Sequence, residues 1–182
     1  MSLVLGFRLE DRVLVAADSC GRVGTMRVSL MPKLERWGEY VIGSTGTQND
    51  TQHFIRTLPP DADLLNRKFL FDHAESMGRQ RLWLQQNTGL GDLVAMLLIA
   101  RGREALIVNQ TGSAIEFGDH FAVGSGQQVA LYLLHTLWQP GMSLPATVDL
   151  AAHIVTETAK VDIGVAPPVL WADTVELKVR SK

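Results

Sequence analysis

The chain has 182 residues, of which 46% are hydrophobic and 20% charged, and its formal net charge is -2. A chain of this size can bury one substantial core, and its even composition predicts a single domain over residues 1–182. Both signs of charge are mixed along the chain, which argues against a nucleic-acid-binding surface. The longest apolar run, Leu93–Ala100, is far shorter than the roughly 20 residues that cross a bilayer, so we expect no membrane contact.

The sequence also predicts the cellular compartment and whether a cofactor is bound. No basic leader with a long apolar segment is visible, so we expect a cytoplasmic protein. The one cysteine, Cys20, excludes an intrachain disulfide and is interpreted as a packed residue rather than a second nucleophile. The five histidines lack metal-ligand spacing such as HExxH, and we therefore predict neither a metal nor a cofactor.

The first two predicted elements form a hairpin. Met1–Phe7 and Asp11–Ser19 are strand-like runs joined by a short polar turn. This arrangement brings Ser2 and Asp18 to the same end, where a hydroxyl next to the chain terminus faces a carboxylate. A serine at position 2 is common for other reasons, and Asp and Ser also favour simple strand ends.

Removal of Met1 would place a nucleophile and a base on one residue. Ser2 would then carry a hydroxyl and a free α-amine, which titrates at about 7.7–8.0 in model peptides and can accept the hydroxyl proton. A nearby cation such as Lys33 would lower the pKa of the amine and favour the developing alkoxide. Asp18 would hold that cation in place.

The remaining elements follow from turn residues and hydrophobic period. A polar connection over Gly21–Met31 precedes a second hairpin, which turns at Trp37-Gly38. Two helices, four strands, two more helices and a last strand come next. They are predicted at Thr47–Thr57 and Asp61–Gln86; at Leu93–Ala100, Ala105–Asn109, Ala114–Glu116 and Phe121–Gly124; at Gln127–Trp138 and Pro145–Lys160; and at Val169–Val179.

This order predicts an α+β fold. Strands and helices occur in blocks and do not alternate as they do in a doubly wound fold, so the strands should pair mostly antiparallel. Two sheets between two helical layers, a four-layer α-β-β-α sandwich, would satisfy the pattern.

The motifs, taken in order, resemble the β-type subunits of the proteasome and the related bacterial HslV peptidases, which are N-terminal nucleophile hydrolases. The resemblance covers nearly the whole chain. It is carried by the hydroxyl residue after Met1, by Lys33, and by three short segments: Val15–Ser19, Val41–Gly46 with Asp50 following, and Phe121–Gly126. It implies the same four-layer sandwich.

The resemblance also implies a set of site residues. Ser2 is the nucleophile, and Asp18 and Lys33 are the supporting acid and lysine. Gly46 is the glycine whose backbone N–H faces the developing oxyanion, although a simple turn glycine reads the same locally. Asp50 is interpreted as structural.

Two further residues belong to this implied set. Ser125 supports the N-terminal amine, and Asp162 is the acid near the nucleophile. The glycines around Ser125 could alternatively bind an anion at a helix N-terminus, but the third glycine of a dinucleotide-binding fingerprint is replaced by Val129. No G-x-S-x-G elbow supports a Ser-His-Asp triad.

The sequence departs from the family pattern in three places. Ser2 replaces the usual threonine and lacks the methyl group that restricts χ1, which predicts slower turnover. The spacing from Asp18 to Lys33 is one residue shorter than usual. No serine follows within three residues of Asp162, where the chain has Gly164–Pro168.

The predicted function is an endopeptidase that cleaves peptides or unfolded proteins inside a chamber. The resemblance implies a homo-oligomeric double ring of six or seven subunits per ring, with an ATP-dependent unfoldase as a candidate partner. A catalytically inactive ring or scaffold protein and a small-molecule amidase of the same chemistry are the alternatives.

Overall fold

The structure is a computed structural model that describes residues 2–23, 26–28, 32–46, 48–88, 96–109 and 113–182. The described residues form twelve strands and four helices. The strands are β1 Leu3–Arg8, β2 Val13–Asp18, β3 Gly21–Val23, β4 Met26–Val28, β5 Leu34–Trp37, β6 Tyr40–Thr45, β7 Met96–Arg101, β8 Glu104–Val108, β9 Ala114–Glu116, β10 His120–Gly124, β11 Val169–Asp173 and β12 Arg180–Ser181. The helices are α1 Gln48–Arg56, α2 Arg67–Thr88, α3 Gln127–Leu137 and α4 Leu144–Thr158.

Two five-stranded sheets form the centre of the molecule. The first has the order β10-β1-β2-β11-β12 and the second β5-β6-β7-β8-β9. Every strand pair in both sheets is antiparallel. The chain reaches the second sheet after the first hairpin and returns to the first sheet at β10.

The sheets stack face to face, and each carries helices on its outer face. One apolar cluster joins β1 and β2 to α3 and α4. A second cluster joins the facing sides of the two sheets, and a third joins the second sheet to α1 and α2. The layers are therefore α-β-β-α, and the predicted fold class is confirmed.

The burial of β1 explains its almost unbroken apolar sequence. Leu3, Leu5 and Phe7 point toward the helices α3 and α4, while Val4 points between the sheets. Strands that are buried on both faces lose the polar alternation of a solvent-facing strand. β1 is also paired on both edges, with β10 and with β2, and this pairing fixes the position of the chain start.

Three element predictions need correction. The long helix begins at Arg67 and not at Asp61, because Asn66 Oδ1 accepts a hydrogen bond of 3.1 Å from the backbone N–H of Phe69 and caps the helix there. The predicted connection at Gly21–Met31 contains the short hairpin of β3 and β4. Parts of the predicted elements at positions 1, 24–25, 29–31, 47 and 93–95 lie outside the described residues.

The third correction concerns the last strand, which ends at Asp173 and does not continue to Val179. Asp173 Oδ1 accepts hydrogen bonds of 2.9 Å from the backbone N–H groups of Val175 and Glu176, and these bonds turn the chain. The reversed chain then pairs as β12 with β11. Local side-chain bonding therefore overrides the alternating pattern of residues 174–179.

A substitution at Gly43 tests how closely the two sheets approach each other. A Cβ atom there would lie 2.7 Å from Val4 Cγ1 and 2.9 Å from Val15 Cγ1, both of which belong to the opposite sheet. We expect Gly43→Ala to lower the free energy of unfolding by about 1–3 kcal/mol through overpacking, as measured by urea denaturation. Gly118→Ala is the matched control, because a Cβ at Gly118 has no heavy atom within 4 Å. Equal unfolding midpoints for the two variants would contradict the close approach.

Candidate active site

Ser2 lies at the end of the first sheet, directly before β1, and is only 3% exposed. Its backbone nitrogen donates a hydrogen bond of 3.0 Å to Ser125 Oγ. Ser125 Oγ in turn donates a hydrogen bond of 2.6 Å to Asp162 Oδ2. A hydroxyl has one proton to donate and lone pairs that accept, so both bonds can exist together. The nitrogen of Ser2 is thus linked through one hydroxyl to a carboxylate.

The two glycines that flank Ser125 hold the carbonyl of Ser2. The backbone N–H of Gly126 donates to Ser2 O over 3.4 Å. Gly124 has a φ of 112°, and a Cβ atom there would lie 2.2 Å from the same oxygen. Glycine at 124 is therefore required by both its backbone conformation and its contact with Ser2.

The carboxylate of Asp18, at the end of β2, is fully buried and accepts four hydrogen bonds from residues that the structure describes. Asp18 Oδ1 accepts from the backbone N–H of Leu3 at 2.7 Å and from Lys33 Nζ at 2.6 Å. Asp18 Oδ2 accepts from the backbone N–H groups of Cys20 at 2.8 Å and Ala166 at 3.4 Å. A buried carboxylate requires such bonding, since an unpaired one would be strongly destabilising.

Lys33 precedes β5 and belongs to the second sheet, so its ion pair with Asp18 connects the two sheets. Its backbone carbonyl accepts from Ser44 N at 2.8 Å, which fixes the start of the strand. Its side chain is 8% exposed. Burial lowers the pKa of the Lys33 ammonium, and the negative charge of Asp18 opposes this effect. Burial likewise raises the pKa of the Asp18 carboxyl, against the effect of Lys33.

The loop after α4 contacts both parts of the site. Asp162 accepts from Ser125 with Oδ2 and from the backbone N–H of Gly164 with Oδ1, the latter at 2.7 Å. Four residues later, the backbone N–H of Ala166 reaches Asp18. A backbone amide thus occupies one oxygen of Asp162.

Gly46 follows the last residue of β6 and is exposed, with a φ of 93°. Its neighbour Thr45 approaches the site, because a Cβ atom at Gly124 would lie 3.2 Å from Thr45 Cγ2. Gly46 is thus next in sequence to Thr45, which lies beside Gly124 and therefore close to Ser2 and Ser125. The side chain of Asp50 lies outside the described residues.

Five of the six residues predicted for the site fall into two directly bonded groups. One group is Ser2, Ser125 and Asp162, and the other is Asp18 and Lys33. Leu3 and the loop after α4 link the two groups. Sequence reasoning missed the backbone donors Cys20, Gly164 and Ala166 and the close contact of Gly124. The Gly124-Ser125-Gly126 triplet was a usable signal for the last of these, because glycines on both sides of a serine suggest a close backbone approach.

The described part of the chain contains no group of three or more His, Cys, Asp or Glu residues that could hold a metal ion. Among the helices in these same residues, none is both long enough and apolar enough to cross a membrane. The groups that the described residues bring to this end of the sheet include two hydroxyls, a backbone nitrogen, two carboxylates and an ammonium.

These features define a class and then a family. The four-layer sandwich with the chain start bonded at the end of its central sheet is a proteasome-like fold. A family model described as Proteasome subunit matches residues 2–166, and the chain belongs to that family. The predicted resemblance is thereby confirmed.

Solved structures show the same fold. The chain is 22% identical to BPH from Thiobacillus denitrificans in complex with epoxomicin, with a TM-score of 0.73 and coverage of 94% of this chain and 97% of that one. It is 17% identical to Anbu, described as an ancestral beta-subunit, from Yersinia bercovieri, with a TM-score of 0.76 and coverage of 98% and 86%. A Gly-1 mutant of Anbu from Hyphomicrobium sp. strain MC1 is also 17% identical, with a TM-score of 0.74 and coverage of 100% and 86%.

The buried ion pair can be tested through stability. Asp18→Asn turns one acceptor oxygen into an N–H donor that faces other donors, and it leaves Lys33 without its counter-charge. We expect a loss of about 3–5 kcal/mol in the free energy of unfolding, as measured by urea denaturation. Lys33→Met should cost less, and the double variant should lose less than the sum of the two single variants, because the two side chains interact directly.

The exposed pair of Lys68 and Asp72 supplies the matched control. Their charged atoms lie 2.5 Å apart, but the side chains are 85% and 53% exposed. Asp72→Asn should leave the urea midpoint almost unchanged, since solvent screens such pairs. Additive effects at Asp18 and Lys33, or an equal effect at Asp72, would contradict the burial of the site pair.

Proposed function

We propose that this protein is an N-terminal nucleophile peptidase in which Ser2, exposed by removal of Met1, cleaves peptide bonds. One observation carries the proposal: the nitrogen of Ser2 donates to Ser125, which in turn donates to Asp162, while the N–H of the next residue donates to Asp18, the partner of Lys33. The atom that would become the free amine already has a hydrogen-bond acceptor. Family membership supports the same chemistry.

In the proposed reaction, Ser2 Oγ attacks the carbonyl carbon of a peptide bond and its proton passes to the α-amine of Ser2. The C–N bond of the peptide then breaks, the departing amine takes that proton, and an ester links the substrate acyl group to Ser2. Water, deprotonated by the same α-amine, attacks the ester and releases a carboxylic acid. Ser2 regains its hydroxyl proton, so the cycle consumes one water per peptide bond.

Charged groups with opposite effects set the basicity of the amine in this proposal. The positive charge of Lys33 lowers the pKa of a nearby amine, whereas the carboxylate of Asp162, acting through Ser125, favours the protonated form. The Lys33 charge also stabilises negative charge that develops on Ser2 Oγ. Asp18 keeps Lys33 in place through a contact of 2.6 Å.

Gly46 is the proposed oxyanion donor. Its backbone lies at the open end of β6, and glycine leaves the approach to its N–H unobstructed. A preorganised donor of this kind typically contributes about 10²–10³ in rate. A side chain at position 46 would also be strained, because φ is 93° there.

The proposed substrates are peptides or unfolded proteins, and the proposed assembly is a ring-forming homo-oligomer of stacked rings in the cytoplasm. Proteasome family membership supports the ring, since stacked rings are typical of that family. An ATP-dependent unfoldase is proposed as the partner that would deliver substrates. Electron microscopy of the purified protein tests the assembly separately from the chemistry.

Covalent labelling tests the nucleophile. Epoxomicin is bound by the structurally similar BPH protein, and we expect it to react with Ser2 of this chain once the α-amine is free. Intact-mass analysis should show a chain that starts at Ser2 and gains the mass of one epoxomicin molecule. Ser2→Ala removes the hydroxyl but keeps a small residue at the start, so it should lose Met1 equally and gain no label.

The same experiment separates the alternatives. A chain that keeps Met1 and gains no label contradicts the peptidase and favours the scaffold. A labelled chain that cleaves small amides but not fluorogenic peptides favours the amidase.

Comparison with threonine tests the effect of the missing methyl group. Ser2→Thr should raise kcat on a fluorogenic peptide by roughly threefold, because the β-branched side chain restricts χ1, which otherwise samples three staggered rotamers. Intact masses must show complete removal of Met1 from both proteins. A slower threonine variant would contradict the proposed preorganisation.

A further inference from the structure

A cleft lies at the opposite end of the first sheet from Ser2. β1 runs from Leu3 to Arg8, and at ~3.3 Å per residue its far end lies roughly 20 Å from Ser2. The cleft has a volume of about 580 Å³ and opens between the β1–β2 turn and the α3–α4 connection. This volume falls in the range of small-molecule sites, which is roughly 300–1,000 Å³.

One part of the cleft is an apolar wall. The ring of Trp138 packs against Phe7 at a centroid distance of 5.5 Å and against His120 at 6.0 Å, which fixes its orientation. The turn after Trp138, with Gly141 at a φ of 82°, brings further apolar side chains to the same surface. This wall consists of Leu9, Trp138, Met142 and Leu144.

Charged side chains complete the lining of the cleft, and the charge of Arg12 is already neutralised by neighbouring carboxylates. Arg12 donates to both carboxylate oxygens of Asp11, at 2.9 Å and 2.6 Å. It also donates to the buried Asp173 at 3.3 Å. Arg12 therefore has little charge left to offer a ligand.

Four other charged residues of the cleft form no ion pair within the described residues: Arg8, Glu10, Arg103 and Asp119. Arg8 and Asp119 are neighbours, because the backbone N–H of Arg8 donates to the carbonyl of Asp119 at 2.7 Å. The guanidinium carbon of Arg8 lies 5.6 Å from the centre of the Phe117 ring, a contact that positions the arginine charge without neutralising it. The Nε atoms of Arg8 and Trp138 are also covered from solvent and lack an acceptor in the described part of the chain.

We propose that this cleft binds a free α-amino acid with an apolar side chain. Such a ligand carries a carboxylate for Arg8, an ammonium for Asp119, and a side chain for the wall around Trp138. Arg103 and Glu10 add one further charge of each sign at the rim. A purely anionic or purely cationic ligand would leave one member of each pair unmatched.

Phenylalanine and two analogues test the charge requirement. N-acetylphenylalanine lacks the ammonium, and phenylalaninamide lacks the carboxylate. Phenylalanine should bind with a Kd of the order of 1 mM, as expected for a ligand of its size, and each analogue should bind about tenfold more weakly or worse. Titrations at about pH 6 keep the α-amines protonated.

Fluorine NMR locates the binding. The chain has four tryptophans, and in protein labelled with 5-fluorotryptophan the variant Trp138→Phe identifies the resonance of Trp138. Phenylalanine should shift that resonance saturably. Ser2→Ala should bind phenylalanine equally, so this result does not depend on whether the peptidase proposal is correct.

Two substitutions test which residue binds the carboxylate of the ligand and which binds its ammonium group. Arg8→Met should weaken phenylalanine and N-acetylphenylalanine about tenfold but leave phenylalaninamide unchanged. Asp119→Asn should weaken phenylalanine and phenylalaninamide and leave N-acetylphenylalanine unchanged. Asp119 is exposed, so this variant remains informative if Arg8→Met fails to fold. Arg36→Met, at an exposed arginine on β5, is the matched control and should change nothing.

Three outcomes would overturn the proposal. The first is the lack of a saturable shift of the Trp138 resonance. The second is equal binding of phenylalanine and its two analogues. The third is that Asp119→Asn changes the binding of the three ligands no more than the control Arg36→Met does.

Discussion

The carboxylate of Asp18 is the point on which the site geometry depends. It joins the start of β1, the end of β2, the lysine before β5 and the loop after α4 in one buried group. Taking a carboxylate and an ammonium out of water is costly, and only close bonding offsets that cost. The arrangement therefore favours one relative position of the two sheets. The stacking of the sheets and the position of the chain start are thus held by the same interaction.

The position of Ser2 follows from this constraint. β1 is buried on both faces between two neighbouring strands, so its first residue has little freedom. The glycines around Ser125 hold the carbonyl of Ser2, and Ser125 accepts from its nitrogen. The backbone nitrogen and the backbone carbonyl of Ser2 are thus both bonded to the segment Gly124–Gly126. Such rigidity is what a catalytic group requires if it is to hold a reactive geometry.

The fold could be predicted from sequence because its signals are local. Apolar runs, turn residues and the 3.6-residue period located the four helices and the strands of both sheets except β12. Predictions were wrong where side chains bond to nearby backbone, as Asn66 does at the start of α2 and Asp173 at the end of β11. The acid, lysine and serine of the site came from the family resemblance. Backbone donors such as Ala166 N–H carry no sequence signature, because every residue except proline has one.

The four donors to Asp18 also have a consequence for folding. They come from residues 3, 20, 33 and 166, so the last of them joins only after nearly the whole chain has been made. Contacts between distant parts of a sequence form late, since a long loop must close first. A chain still emerging from the ribosome therefore cannot hold this carboxylate fully bonded. If the proposed activity is correct, nascent chains carry no assembled protease and pose no hazard to the proteins around them.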